Sequence, residues 1–427
     1  MKFYIHTFGC QMNVADSAAI GEHLRSRGGV ATDLAQQADL VIVNTCSVRG
    51  QAEHKALSYL GRLALIKVKQ PAMKVVFAGC MAERVKESIK KRFPFINLVV
   101  GARDIEYFPQ LLDKFLGDML DDRSVLSAAT PQLTSFINIM RGCENHCSYC
   151  IVPTVRGPEK SRAVDDILAD IRRMAAAGTK EVTLLGQNVN SYTSAGRGKT
   201  IIDFSDLLQM VNGIDGIDRI RFMTNHPKDF NDKLIETMSS CAKVCDHIHL
   251  PLQSGSDTIL AAMNRKYTAG DYLTLANKLK HAIPRLAITT DIMVGFPGET
   301  DADFAATLRI IEHTDFDFLY AFKYSPRPGT PAAAGEDSVI RSKKEERLAI
   351  LLEQADSIAA RKNAKLIGTH QEVLVEEVTA NGIAGGRTRA NKKIFFAGES
   401  NLRGTLVSIT VTGSKAYSLE GSFTSCV

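Results

Sequence analysis

Three cysteines crowd into the run Met140-Arg-Gly-Cys143-Glu-Asn-His-Cys147-Ser-Tyr-Cys150-Ile-Val-Pro153, straight after an apolar, strand-like segment at 136–140. Thiolates at such short spacing are the usual ligands of iron–sulfur clusters, because one tight loop can present several sulfurs to one cluster. A four-iron cubane takes four ligands and this loop offers three. One iron is then left open, as a catalytic metal keeps one position free for substrate. The competing readings are a structural zinc knot or buried thiols. Zinc wants a second close pair of ligands, and the only other near pair is Cys241 and Cys245.

Three further cysteines follow a different rule. Over residues 1–118, strand-like runs at 2–7, 40–43, 74–77 and 98–100 alternate with helical patterns at 14–27, 51–69 and 82–92. Alternation at these lengths predicts an open parallel sheet with helices on both faces, an α/β domain of flavodoxin-like type. Cys10 follows the first strand in Phe8-Gly9-Cys10, Cys46 the second in Asn44-Thr45-Cys46, and Cys80 the third in Ala78-Gly79-Cys80. The carboxyl ends of parallel strands share one edge, where ligands bind, so these distant cysteines should converge. The glycines ahead of Cys10 and Cys80 suit tight turns or close backbone approach. Recurrence at one position of the repeat argues against unrelated buried thiols and predicts a second cluster, again with three protein ligands.

The totals agree with metal-binding chemistry inside a cell. A chain of 427 residues, 45% apolar and 23% charged, should fold as two or three domains. No segment has the uninterrupted apolar length of a membrane span, and the start, Met1-Lys-Phe-Tyr-Ile-His6, alternates like a strand rather than like a signal peptide. A cytoplasmic location is therefore expected. Nine cysteines, an odd number, without an export signal favour ligation over disulfides. The net charge of +5 permits nucleic-acid binding without proving it. Residues 117–135, with Asp118, Asp121, Asp122 and Pro131, read as a linker.

From 133 to 358 the cysteine loop is followed by strand-like runs at 181–185, 219–223, 247–250, 286–294 and 316–324, with helical patterns between them. Six such repeats predict a partial (β/α)6 barrel with its chemistry at the carboxyl ends of the strands. Three loops at those ends are polar or glycine-rich: Leu185-Gly186-Gln187-Asn188, Leu250 to Ser256 with Gln253 and Ser254, and Ile292 to Thr300 with Val294. Arg265 and Lys266 could meet a carboxylate or phosphate, or solvent; His247 and His249 read as packed, hydrogen-bonded residues. Cys241, Cys245 and Cys426 read as structural. Residues 359–427 begin on a helical pattern that starts near 356, then turn to short strands at 372–376, 393–396, 405–411 and 416–419, predicting a small antiparallel barrel. Arg387, Arg389, Lys392 and Lys393 beside Phe395 and Phe396 form a basic–aromatic cluster that could follow a phosphate backbone and stack a base.

Laid out in this order, nearly the whole chain resembles the radical S-adenosylmethionine methylthiotransferases. That family joins a cluster domain, a radical barrel and a TRAM domain. Gly9-Cys10-Gln11-Met12-Asn13, Asn44-Thr45-Cys46-Ser47-Val48-Arg49 and Arg141-Gly142-Cys143 through Pro153 are most similar to the branch that modifies isopentenylated tRNA adenosine. Members acting on a ribosomal-protein aspartate tend to carry Pro-Lys-Asn after the first cysteine. Thr154 and Pro158 stand where relatives often have Tyr and Arg.

The resemblance implies two [4Fe-4S] clusters, on Cys10, Cys46 and Cys80 and on Cys143, Cys147 and Cys150. It implies S-adenosylmethionine lined by Gly186, Gln187 and Asn188 at its amino group, Gln253 and Ser254 at its ribose, and Val294 at its adenine. It implies that a 5′-deoxyadenosyl radical removes hydrogen from carbon 2 of N6-isopentenyladenosine at tRNA position 37, after which a methylated sulfur bonds there. No catalytic side chain beyond the cluster ligands is assigned. The implied partners are the anticodon stem-loop and a reducing electron donor, with the protein a monomer and no membrane involved. The same chemistry on threonylcarbamoyladenosine or on a protein aspartate is the alternative.

Overall fold

The computed structural model describes residues 1–47, 50–119, 132–196 and 200–427. Most of the expected linker, including Asp121, Asp122 and Pro131, lies outside them, as do Val48 and Arg49. The chain divides into two compact units, one of Met1–Pro131, Phe136–Glu144 and Cys150–Lys160, the other of Gln132–Ser135, Asn145–Tyr149 and Ser161–Val427.

In the first unit, strands β1 (Lys2–Phe8), β2 (Val30–Ala31), β3 (Leu40–Thr45), β4 (Lys74–Gly79) and β5 (Leu98–Gly101) form a parallel sheet in the order β2-β1-β3-β4-β5. Strand β2 escaped sequence reading because two exposed residues carry no alternation. Helices α1 (Gln11–Ser26), α2 (Gly50–Lys69), α3 (Cys80–Val85), α4 (Ile89–Arg92) and α5 (Phe108–Leu116) cover it. Both faces of β3 are buried, as in a sheet sandwiched by helices. Leu40 and Ile42 pack with Leu24, Phe108 and Leu112, while Val41 and Val43 pack with Ala56, Leu60 and Leu63. The single helix expected over 82–92 is broken, with Lys86 at φ +47° in the left-handed region. After β6 (Thr134–Asn138), the short strands β7 (Met140–Arg141) and β8 (Lys160–Ser161) pair with each other, and α6 (Val152–Arg156) lies between them in sequence.

The second unit holds α7 (Val164–Ala176), β9 (Glu181–Leu185), a hairpin of β10 (Thr193–Ala195) and β11 (Ile201–Asp203), α8 (Phe204–Asn212), β12 (Arg219–Met223), α9 (Asp232–Ser240) and β13 (His247–His249). It continues through α10 (Asp257–Ala262), α11 (Ala269–Ala282), β14 (Ala287–Val294), α12 (Asp301–Thr314), β15 (Phe318–Lys323) and α13 (Arg341–Ala364). Six strands form two sheets, β12-β9-β6 and β13-β14-β15, and Ile220 on β12 bridges to Val244 just before β13. This is the expected partial barrel. Three of its helices start on capping boxes: the side chains of Asp203, Thr268 and Thr300 each accept from the backbone N–H three residues on, and the carboxylates of Asp206, Asp271 and Asp303 accept in turn from the cap backbone N–H.

Strands β16 (His370–Val378), β17 (Ile383–Thr388), β18 (Lys393–Ala397), β19 (Leu406–Ser414) and β20 (Leu419–Cys426) close a barrel in the order β16-β17-β18-β20-β19. The glycines and arginine of β17 hid it from propensity, yet it pairs on both edges. Helix α13 runs across the boundary expected at 358.

Fully buried Arg219 on β12 clamps this barrel. Its guanidinium donates to the Glu372 carboxylate at 2.8 and 3.1 Å and to the Arg387 carbonyl at 2.7 Å. Arg221 donates to the Thr388 and Arg389 carbonyls at 2.8 and 3.0 Å and pairs with Glu181 at 2.9 Å. Replacing Arg219 with Ala leaves the half-buried Glu372 carboxylate and the Arg387 carbonyl without these donors, so urea denaturation should show a loss of about 1–3 kcal/mol.

Two buried histidines make stability depend on pH. Burial, with the charges of Arg265 and Lys228, lowers the pKa of His226 to about 2; burial, then Arg221 and His249, lowers that of His247 to about 3. Unfolded imidazoles protonate near pH ~6.5, so below that the unfolded chain binds more protons and stability falls. The contribution is complete above pH ~6.5 and shrinks by about 2 kcal/mol per histidine on going to pH ~5. Denaturation of a His226→Gln variant across that range should show a shallower pH slope than the parent.

Candidate iron–sulfur and cofactor site

In the order β2-β1-β3-β4-β5 the strands β1, β3 and β4 are neighbours, so the residues leaving their carboxyl ends meet. Cys10 caps α1, Cys46 follows Thr45 directly, and Cys80 opens α3. The backbones come so close that a Cβ built at Gly9 would stand 2.6 Å from the Cβ of Cys46, and one at Gly79 would stand 2.3 Å from the Thr45 carbonyl oxygen. Only glycine fits at either place, and Gly79 also adopts φ +97°. Polar side chains lock the arrangement. Asn13 Nδ2 donates to Asn44 Oδ1 at 3.0 Å and to the Thr45 carbonyl at 3.2 Å; Asn44 Nδ2 returns a bond to the Asn13 carbonyl at 2.9 Å.

The thiols differ in acidity. A hydrogen bond from Cys46 lowers the Cys10 pKa to about 6 against the effect of burial, helped by Arg156 and by the N–H groups of Met12 and Asn13. Burial raises that of Cys80, although Arg156 opposes it. The charge of Cys10 acts on Cys80 and Cys46 bonds Cys10, so the three thiols lie at neighbouring strand ends.

The segments flanking the cysteine loop reach the same place. Cys80 shares a buried apolar cluster with Ala102, Val155 and Ile151, the residue after Cys150. Arg156, buried on α6, donates from Nε to Cys80 Sγ at 3.2 Å, while its Nη1 is buried without a hydrogen-bond partner. Asp16, buried on α1, accepts from Arg141 at 2.6 Å and from Asn138 at 2.9 Å. Neither Arg156 nor Asp16 was singled out from sequence, where both read as ordinary charged positions, and Asn13 entered only as the last residue of a family-like motif.

In the second unit, Cys147 is nearly buried and accepts from Arg265 Nη1 at 3.4 Å. Arg265 is thus an interior residue and not a solvated one; it also bonds the Pro251 carbonyl at 2.9 Å and the Tyr267 hydroxyl at 2.8 Å. The neighbouring loop is held by Ser148, whose N–H donates to the Met263 carbonyl at 3.0 Å, and by Asn264, which donates to the His146 carbonyl at 2.9 Å.

The remaining candidates follow β9, β13 and β14. Gly186 and Asn188 are buried and Gln187 half-buried. Asn188 Nδ2 donates to Asp229 at 2.7 Å, and its buried Oδ1 has no partner. Asn225, another residue missed from sequence, bonds the His249 carbonyl at 2.9 Å and also has an unpartnered buried Oδ1. Gln253 takes φ +73° where the chain bridges to Ile292. Ser254 is turned to Thr307 on α12 at 3.3 Å, and Val294 is buried at the end of β14. His247 and His249 are hydrogen-bonded to Thr289 at 3.1 and 3.0 Å, as expected.

Among the described residues no three His, Cys, Asp or Glu side chains stand as a ready-made metal group, and no cysteine is in a disulfide. The donor set nevertheless suits an anionic iron–sulfur cluster: soft thiols, one of them acidic, beside a buried guanidinium with a donor to spare. Unpartnered amide oxygens at Asn188 and Asn225 suit a cofactor that brings hydrogen-bond donors. No described helix is long and apolar enough to cross a membrane.

Comparison with known proteins accounts for each part. Residues 2–101 match the family model described as Uncharacterized protein family UPF0004, 137–311 the Radical SAM superfamily and 364–424 the TRAM domain. Similar proteins include three named tRNA-2-methylthio-N(6)-dimethylallyladenosine synthase. That of Acetivibrio thermocellus is 46% identical over 99% of this chain and 91% of its own length. Those of Alkaliphilus oremlandii and Endomicrobium trichonymphae are each 44% identical, covering 98% and 99% of this chain and 92% and 99% of their own. Among solved structures, the radical S-adenosylmethionine methyltransferase TsrM from Kitasatospora setae, with cobalamin and a [4Fe-4S] cluster bound, aligns with a TM-score of 0.55 at 13% identity, covering 78% of this chain and 74% of its own. The cobalamin-dependent S-adenosylmethionine radical enzyme OxsB aligns at 0.51 and 10% identity, covering 83% and 56%. These two likenesses show the fold. Membership of the Radical SAM superfamily implies a [4Fe-4S] cluster and S-adenosylmethionine. The chain belongs to the family of tRNA-2-methylthio-N(6)-dimethylallyladenosine synthases.

Proposed function

We propose that this protein adds a methylthio group to carbon 2 of N6-isopentenyladenosine beside the anticodon of tRNA, using two [4Fe-4S] clusters, one on Cys143, Cys147 and Cys150 and one on Cys10, Cys46 and Cys80. The observation that carries this reading is the meeting of Cys10, Cys46 and Cys80 at adjacent strand ends, with Cys80 packed against the residue after Cys150. The substrate follows the relatives' name, which favours isopentenyladenosine over threonylcarbamoyladenosine or a protein aspartate.

Carbon 2 of adenine bears an unactivated C–H bond that no acid–base side chain can break. Bound clusters and S-adenosylmethionine supply the radical and the sulfur that this carbon requires. The chain's own residues hold and shield them. The Cys46 hydrogen bond that lowers the Cys10 pKa favours the thiolate form that ligation uses. Arg156 and Arg265 each donate to one thiol, at Cys80 and Cys147, and offset the charge that ligation concentrates there. Asp16 holds Arg141 and Asn138 beside the cysteine loop. Asn188, Asn225 and Gln253 offer polar groups for S-adenosylmethionine, while Val294 and Gly186 bring apolar and backbone surface. The adenosine must leave its stack to be reached. An electron donor, a monomeric state and a cytoplasmic location complete the reading.

Nucleoside analysis of tRNA from a strain lacking the protein tests the substrate: methylthio-isopentenyladenosine should vanish, and loss of a methylthio-threonylcarbamoyl product in its place would sink the assignment. After anaerobic reconstitution, Cys147→Ala should lose 5′-deoxyadenosine formation and keep the iron and sulfide of the other site. Cys46→Ala should keep 5′-deoxyadenosine formation and lose methylthio transfer. Arg156→Gln should lower the iron affinity of the Cys10 site, measured by competition with a chelator, roughly ten- to hundredfold, with Arg156→Lys in between.

A further inference from the structure

Away from the cysteines, a cleft of about 170 Å³ opens where β12, β13, β14 and β15 meet the loops of the C-terminal barrel. Its size is below that of pockets enclosing a whole drug-sized ligand, and suits one flat ring with the remainder outside. Aromatic rings form one wall. Phe318 packs edge-on against Tyr320 at 4.7 Å and Tyr417 at 5.5 Å, and both tyrosines are exposed, at 41% and 56%. Large exposed rings at a cavity mouth offer π faces that water solvates poorly.

Polar groups complete the cleft. His247 is buried within its lining, with Nε2 at 3.1 Å from the Thr289 hydroxyl and Nδ1 lacking any partner. A buried ring nitrogen without a partner is costly unless a ligand supplies one. Lys393 is exposed at the rim and has no acidic partner among the described residues, whereas Lys392 is spent on Asp317 at 2.9 Å and Arg387 on Glu376 at 3.3 Å.

The walls are held rigid before any ligand arrives. The turn carrying Asn391, itself at φ +61°, is closed by an Asn391 N–H to Thr388 carbonyl bond of 2.9 Å and pinned by Arg389 to Asp246 at 3.2 Å. Asn363 bonds the carbonyls of Lys415 and Ala416 at 2.8 and 3.0 Å and so sets the loop bearing Tyr417, whose hydroxyl bonds Asp356.

We propose that this cleft receives one unstacked nucleobase of the RNA loop, stacked on Tyr417 and Tyr320 with its edge at His247 and its phosphate facing Lys393. This rests on RNA being the substrate, and it assigns a base other than the one modified, since the cleft is lined by none of the six cysteines. A rigid ring surface with one cation and one orphan polar atom matches the way single-stranded nucleic acid is held by stacking.

Equilibrium binding of the full chain to two RNAs, an anticodon stem-loop and its stem as a plain duplex, tests the site. Tyr417→Ala and Tyr320→Ala should each weaken stem-loop binding roughly tenfold or more and leave duplex binding unchanged, which also shows that the variants fold. Tyr417→Phe, which keeps the ring, should bind as the parent does. Unaltered stem-loop binding in both alanine variants, or an equal loss for the duplex, would overturn the base site. Failure of the unaltered protein to bind either RNA would instead remove the tRNA reading itself.

Discussion

Adjacency of β1, β3 and β4 is the constraint on which the candidate site depends. A parallel sheet places every carboxyl end on one edge, and the reversal of strand order between β1 and β3 opens a crevice there. Cys10 and Cys46 leave the two strands flanking that reversal, and Cys80 leaves the next one. The reciprocal bonds of Asn13 and Asn44 hold this edge from within. A buried amide left unpaired costs about 1–3 kcal/mol, so a slip between β1 and β3 is penalised in polar as well as apolar terms. The glycines at 9 and 79 then allow a separation that no side chain would permit.

Charge organises the next layer outward. Arg156 and Arg265 lie in the interior with cysteine sulfurs as partners, Arg219 and Arg221 with carboxylates and carbonyls. A buried guanidinium is costly unless most of its donors are satisfied, so these partners fix where each arginine packs, with Arg156 Nη1 left over at the cysteine edge. The C-terminal barrel shows the result. Arg389 and Lys392 reach Asp246 and Asp317 ahead of β13 and β15, and Arg387 pairs with Glu376 inside the barrel itself, so much of the basic cluster suggested by composition is spent on internal pairs. Phe396 belongs to the barrel core and Phe395 faces out. The cations left exposed do not form a broad basic face, in keeping with a net charge of only +5.

Much of this was written locally. Strand and helix periods and cysteines placed directly after strands depend on near neighbours, so residue order alone reveals them. Elements lacking that signature were lost: the two-residue β2, the glycine-rich β17 and the break at Lys86. The family-like motifs around Cys10, Cys46 and Cys143 carried the chemistry into view before any coordinates did.

By itself the sequence determined which residues could ligate iron, which kinds of element carry them and which family they resemble, because those properties reside in residue type and short spacing. Only the tertiary structure decided that β1 lies between β2 and β3, that Arg156 and Arg265 face sulfur, that Ser254 faces Thr307, and that His247 ends in a cleft with a nitrogen to spare. The physical reason is range. Burial and pairing of a charged or polar group depend on atoms contributed by segments tens to hundreds of positions away, and nothing in the local pattern records which of them will arrive.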